Sequence, residues 1–320
     1  MNVTKLLKRT GGAVAVLVFI LVAVYFLSND EKTILNDQTR STLLGQFIAL
    51  PQGVVHYQLA GPEDAPVVVL VHGFSVPYYV WDPTFEALEN ADFRVLRYDL
   101  YGRGYSDRPE AEYDLDLFAG QLEGLLSALG IENPVELVGL SFGGPIVAQF
   151  ANEHPEQVRG LILIDPQVAS VSTREIFPLN VPLVGEYIMA VYMVPSMLPK
   201  SQSNDFYRPE RFPDWEARYR VQMEYQGFQR ALLSTIRNMV HMDPLAEYES
   251  LGTQSIPVML VWGREDQTVS ATDIQALRNA IPAAEFHPVD EAGHLPHYEQ
   301  AGVVNPLLIE FLKRLEAGQS

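Results

Sequence analysis

The chain has 320 residues, 22 Lys+Arg against 40 Asp+Glu, a formal net charge of −18, 48% hydrophobic residues and no cysteine. That length holds one large or two modest domains, and 22 Gly with 22 Pro are too few for a collagenous or disordered chain. The missing cysteines exclude disulfides, thiolate zinc sites, iron–sulfur clusters and cysteine nucleophiles, and the acidic excess excludes nucleic acid as a partner, since a polyanion needs clustered Lys and Arg.

At the amino terminus Lys5, Lys8 and Arg9 precede an uninterrupted apolar run at 13–27, which with Gly11, Gly12 and Ser28 makes 18 uncharged residues. As a helix this rises roughly 27 Å, close to the hydrocarbon thickness of a bilayer. The run ends in Tyr25-Phe26-Leu27-Ser28-Asn29-Asp30, without the small-residue pattern of a signal-peptidase site. The reading is an N-terminal transmembrane helix over 1–28, a single-pass anchor to the membrane with a cytoplasmic N-terminus and an exported remainder. Cleavage of the segment would instead give a secreted protein. Setting the three basic residues aside leaves 19 basic against 40 acidic, net −21, on the exported side. The polar stretch 29–45 reads as a tether.

Next come two strands, 46–50 and 54–59, joined by Pro51-Gln52-Gly53 as an antiparallel hairpin. Continuous apolar runs follow at 67–71, 93–96, 135–138, 161–164 and 258–262, with a last strand expected at 285–289. Runs apolar on both faces belong to a parallel sheet covered by helices on each side. Amphipathic helices are expected at 117–129 and 303–316. The fold class is therefore α/β, with a doubly wound, mostly parallel sheet. The alternation breaks between 166 and 255, where an apolar stretch around 181–197 and an aromatic-rich helical stretch around 215–237 read as a helical cap. The expected division is a core at 46–166 and 256–320 with a cap at 167–255. Ligands bind outside the carboxyl ends of parallel strands, so cap and cleft should be neighbours.

Chemistry concentrates in Gly139-Leu140-Ser141-Phe142-Gly143, after one strand and before a helical run. A nucleophile at a sharp strand-to-helix turn needs small residues two places to either side, where the two backbones nearly touch. The helix amino terminus then points at Ser141 and favours a developing oxyanion. A serine also needs a base oriented by a carboxylate. His294, in a loop after the 285–289 strand, is the candidate base, with His297 its rival. Asp266, directly after the 258–262 strand, is the candidate acid. Its neighbour Glu265 should point elsewhere, and Asp165, ending the preceding strand, is the geometric alternative. Oxyanion donors are expected from the backbone N–H groups of Phe142 and Phe74, with His72 bracing the Phe74 loop.

These residues give the chain a resemblance to the α/β-hydrolase superfamily. The matching motifs are His72-Gly73-Phe74, Asp99-Leu100-Tyr101-Gly102-Arg103-Gly104-Tyr105-Ser106, the turn around Ser141, Gly263-Arg264-Glu265-Asp266 and Gly293-His294. They span 46–316 in the family's order. The resemblance implies an α/β-hydrolase fold, a Ser–His–Asp triad and no cofactor or metal. Family members with haloalkane dehalogenase or epoxide hydrolase activity carry Asp at the turn, so Ser141 leaves esterases, lipases, C–C hydrolases and cofactor-free perhydrolases. The combination of an N-terminal anchor, His-Gly-Phe-Ser and a cap is similar to membrane-anchored monoacylglycerol lipases and related carboxylesterases. A non-catalytic binding protein on the same fold is the alternative of a different class.

Met189, Met193 and Met197 recur at helical spacing beside Tyr192. Met189, Tyr192 and Met193 would serve as a flexible lining for an acyl chain, although packing of cap on core asks for the same pattern. The expected substrate is a small-molecule or lipid ester with an apolar acyl group. Oligomeric state is not encoded in any feature of the sequence.

Overall fold

The computed structural model describes residues 3–318, with side chains described from residue 12 onward. Eight strands form one sheet in the order β1-β2-β4-β3-β5-β6-β7-β8: β1 (Gln46–Leu50), β2 (Gly53–Ala60), β3 (Val67–Val71), β4 (Arg94–Tyr98), β5 (Val135–Leu140), β6 (Val158–Ile164), β7 (Val258–Gly263) and β8 (Glu285–Val289). The β1–β2 hairpin is antiparallel in the register Gln46↔Tyr57 to Leu50↔Gly53, β2 pairs antiparallel with β4, and all later neighbours are parallel. Both features follow the hydrophobic pattern.

The uninterrupted apolar runs are explained by the two cores that the sheet separates. Along β3, Val67, Val69 and Val71 face one core while Val68 and Leu70 face the other. β6 repeats the alternation with Leu161 and Leu163 against Ile162 and Ile164. Helices Leu115–Ala128, Gly143–Glu153 and Ala271–Ala280 bury their apolar faces in the first core, and Asp82–Glu89 and Ala301–Glu316 in the second. A strand with side chains packed on both sides has no face left for polar residues. Helix starts carry their own signals: Asp114 accepts from the Leu117 N–H at 2.9 Å, and Ser270 with Asp273 closes a capping box.

The insertion between β6 and β7 is a set of short helices. The aromatic-rich helical stretch divides into Trp215–Arg220, a 3-10 turn at Val221–Glu224 and Phe228–Asn238. Gly227 causes the break, at φ +90° in the left-handed region that glycine tolerates. Met189–Met197 is a π-helical stretch containing Pro195, whose ring cannot donate a backbone hydrogen bond.

The N-terminal reading is corrected. A helix does form at Val3–Ser28, but no helix among the described residues is long and apolar enough to cross a membrane. The last turn is also occupied, since the Tyr25 ring stacks on Tyr187 of the insertion at 6.4 Å. The transmembrane helix, the membrane as a partner and the single-pass, exported topology fall with this finding. The basic flank of Lys5, Lys8 and Arg9 lies outside the described side chains. Residues 29–45 are docked on the molecule: Glu31 accepts the N–H groups of Gly227 and Gln229 at 2.9 and 2.5 Å, Thr33 pairs with Tyr225, and Arg40 forms an ion pair with Asp107.

Candidate active site

β5 ends at Leu140 and the helix Gly143–Glu153 begins three residues later, so the chain reverses direction at Ser141. Ser141 has φ +52°, a left-handed conformation that costs a non-glycine residue energy and recurs at functional turns. The residues two places to either side must be glycine. A Cβ on Gly139 would meet the Gly143 carbonyl oxygen at 2.6 Å, and one on Gly143 would meet the Val71 carbonyl oxygen at 2.3 Å. The turn is held by its own backbone: the Ser141 N–H donates to Ile164 O at 3.0 Å, and the Ser141 carbonyl accepts from Gly144 and Gln167, both at 2.9 Å.

β7 and β8 carry two further loops to the same edge. His294 and Asp266 meet there, the Nδ1–H of His294 donating to Asp266 Oδ2 at 2.8 Å. The Asp266 side chain is fully enclosed, and its Oδ1 accepts the N–H groups of Thr268 and Val269 at 2.6 and 3.1 Å. Burial opposes ionisation of Asp266, but the His294 hydrogen bond and charge and the Thr268 N–H outweigh it and hold the carboxyl below the usual carboxylate range. Burial likewise opposes the imidazolium of His294, yet the hydrogen bond to Asp266 and the charges of Asp266 and Asp205 raise it above an ordinary imidazole.

The alternatives take other positions. Asp165 is fully buried behind Asp266 and accepts the Gly263 N–H at 3.0 Å. Burial, then the Asp266 charge, pushes its carboxyl far up, so it stays protonated and hydrogen-bonds Asp266 rather than His294. Glu265 turns back to accept the Ala292 N–H at 3.0 Å. His297 is buried against Trp81 and bonds the Val80 carbonyl at 3.1 Å, and burial lowers it to about 3.

The loop after β3 lies over Ser141, and Gly73 permits this: a Cβ there would stand 3.1 Å from Ser141 Cβ. His72 is wholly buried. It accepts the Leu100 N–H on Nε2 at 2.9 Å, so its Nδ1–H donates to the Gly73 carbonyl at 2.8 Å. Burial lowers it to about 4, which keeps this tautomer neutral. Because the Gly73 carbonyl and the Phe74 N–H share one peptide plane and point oppositely, the bond that fixes the carbonyl also aims the N–H. The Phe74 and Phe142 N–H groups have no partner among the described residues.

Ser141 and His294 line a cavity of about 190 Å³ with Phe74, Leu140, Leu198 and Asp205. A larger cavity of about 500 Å³ lies elsewhere, bounded by His56, Tyr78, Arg97 and Arg218, and is lined by none of Ser141, Asp266 and His294. Met189, Tyr192 and Met193 are not among the residues around the Ser141 cavity: Met189 is fully buried in the core and Tyr192 is exposed. Asp165, Asp266 and His294 have ligand atoms within 4.8 Å of one another, a spacing that could hold a metal ion. Those atoms are already hydrogen-bonded among themselves.

Two contributors escaped the sequence. The fully buried Arg103, quoted only as part of a motif, donates from Nε to the Phe74 carbonyl at 2.8 Å and secures the same loop. Asp205 enters the cavity from the insertion, where a polar run between short helices carries no periodic signal.

Residues 66–301 match the sequence profile of a family described as alpha/beta hydrolase fold. A 2-hydroxymuconate semialdehyde hydrolase from Pseudomonas sp. is 32% identical over 233 residues, covering 70% of this chain and 78% of that protein. A carboxylesterase, YbfK, from Bacillus subtilis is 26% identical over 269 residues, covering 83% and 86%. Among solved structures, a thermophilic esterase from Thermogutta terrifontis superposes with a TM-score of 0.73 at 23% identity, covering 85% and 99%. The sheet order, the turn at Ser141 and these likenesses agree: the chain belongs to the alpha/beta hydrolase fold family.

Proposed function

We propose that this α/β-hydrolase is a serine hydrolase that cleaves small carboxylic esters through an acyl-enzyme on Ser141. The observation that carries the reading is the strained Ser141 turn sharing one small cavity with His294, whose Nδ1 is held by Asp266.

Each step has a residue. Ser141 Oγ attacks the ester carbonyl carbon while its proton passes to His294 Nε2, and the carbonyl oxygen becomes an oxyanion facing the Phe74 and Phe142 N–H groups. Asp266 stabilises the imidazolium without taking the proton. His294 then protonates the departing alcohol oxygen as the C–O bond breaks, leaving Ser141 acylated. Water repeats the sequence, giving its proton to His294 and releasing the acid. The mechanism calls on no cofactor.

The carboxylesterase among the relatives supports this reading. A second reading, hydrolysis of a carbon–carbon bond adjacent to a carbonyl, uses the same groups and has the 2-hydroxymuconate semialdehyde hydrolase in its favour. Initial rates on p-nitrophenyl butyrate, with wild type and Ser141→Ala side by side, test the proposal. Turnover by wild type that is lost in Ser141→Ala is expected. Turnover retained in the variant overturns the nucleophile, and no turnover of any short ester by wild type overturns the ester chemistry.

A further inference from the structure

The cavity that holds Ser141 and His294 has a polar corner which acyl transfer does not use. It is supplied by the turn Gln202–Asp205 of the insertion, and both end residues line the cavity. The turn is fastened to the loop that carries the base. The Asp205 carbonyl accepts the His294 N–H at 2.7 Å, and the buried Glu299 carboxylate takes the N–H groups of Tyr207 and Arg208, each at 2.9 Å, together with that of Gly293 at 2.7 Å. Asp205 therefore keeps a fixed position beside the catalytic imidazole.

Two acceptors in this corner lack donors. The Asp205 carboxylate has only charge interactions, with His294 and Asp266, and no hydrogen bond among the described residues. Gln202 is 5% exposed; its Nε2 donates to Leu198 O at 3.1 Å, and its Oε1 is left buried with no partner. A buried acceptor without a donor is costly to leave unmatched. No Lys or Arg lines the cavity; Phe74, Val76, Leu140, Leu198 and Leu295 give it an apolar wall, and Ser75, Ser201 and Thr268 add uncharged hydroxyls.

We propose that Asp205, assisted by Gln202, is the specificity determinant of this cavity, selecting small esters that carry a hydroxyl or ammonium donor and rejecting those that carry a carboxylate. The inference rests on the ester-hydrolase reading of Ser141. A site built to hydrogen-bond a substrate donor discriminates strongly against analogues lacking it, because its own acceptors are then stranded. Burial pushes the Asp205 carboxyl up to about 6, with His294 drawing it down and Asp266 pushing it up. Near neutral pH it is thus mostly ionised and repels a second carboxylate.

Four esters of one chain length test this by pH-stat titration: ethyl butyrate, ethyl 3-hydroxybutyrate, ethyl 3-aminobutyrate and monoethyl succinate. For wild type, kcat/KM of the hydroxylated or the protonated amino ester should exceed that of the butyrate by about tenfold or more, as expected for a hydrogen bond to a charged group, with the succinate slowest. Asp205→Leu should bring all four within about threefold of one another, and Gln202→Leu should reduce the hydroxyl preference. Asp205→Asn should lose the ammonium preference and move the acid limb of kcat/KM to lower pH, because the charge that favours the imidazolium is gone. A purely structural role would not shift that limb. The ratios come from one preparation at a time, so any loss of folded protein cancels. Equal rates on all four esters by wild type, or a fastest succinate, overturn the inference and leave the ester reading standing. Turnover of none of the four overturns both.

Discussion

At the turn after β5 the backbone leaves almost no choice of residue: Gly139 and Gly143 stand where a Cβ would collide with carbonyl oxygens, and Ser141 sits between them at a positive φ. At the turn Gln202–Asp205, across the same cavity, the close approach of the Asp205 carbonyl restricts only Gly293 on the facing loop, and position comes from the His294 N–H and from Glu299, which holds Tyr207 and Gly293. The first region is specified locally and, on the proposed mechanism, carries the chemistry. The second is specified by tertiary contacts, which suits it to the proposed role of choosing the substrate. A core turn altered in this molecule should therefore change the rate on every substrate alike, and an altered insertion should change which substrate is preferred.

The largest effect expected at the sheet edge is that of Asp266→Asn. The amide can donate where the carboxylate only accepts, so His294 loses its tautomer, and kcat should fall by about 10⁴-fold on all esters by a common factor in steady-state assays. A drop confined to one ester would break the comparison. Gly73→Ala comes next. Its methyl would press on Ser141 Cβ at 3.1 Å and Leu140 O at 3.4 Å, displacing the Phe74 N–H, with a loss in kcat of about 10²–10³-fold and a nearly unchanged KM.

The pH profile sharpens the same point. His294 must be neutral to accept the serine proton, and its folded-state value lies above the ordinary 6.5. Activity should therefore be full at alkaline pH and decline as pH falls through a midpoint above 6.5, measured as kcat/KM against pH. A midpoint below that value would mean that burial prevails over Asp266 and Asp205. The smallest effect is expected where the insertion meets the N-terminal helix. Tyr25→Ala removes one ring stack and should lower stability by about 1 kcal/mol in urea titration while ester rates stay unchanged.

This division also explains which parts could be read from the residues alone. Strands buried on both faces show as unbroken apolar runs, and the turn at Ser141 shows as glycines at two fixed offsets, because in both cases short-range sterics restrict composition. Asp266 and His294 were legible through their place after the last strands, and His72 through its adjacency to Gly73. Asp205 was not. It precedes Phe206 in a polar run without periodic signal, and it is brought to the cavity by the His294 N–H on its carbonyl and by Glu299 holding the following Tyr207 and Arg208. The methionine repeat left lining and packing both open, because a stripe at helical spacing does not say what it faces; Met189 packs in the core. At the amino terminus, hydropathy recorded how apolar the helix is but not that Tyr25 is committed to Tyr187.

The central claim, that Ser141 is the nucleophile, is tested most directly by reacting the protein with a fluorophosphonate and mapping the adduct by peptide mass spectrometry. A single adduct on the peptide containing Ser141, abolished in Ser141→Ala and suppressed in His294→Gln, is the predicted result. An adduct on any other residue, or labelling that survives in Ser141→Ala, would contradict it.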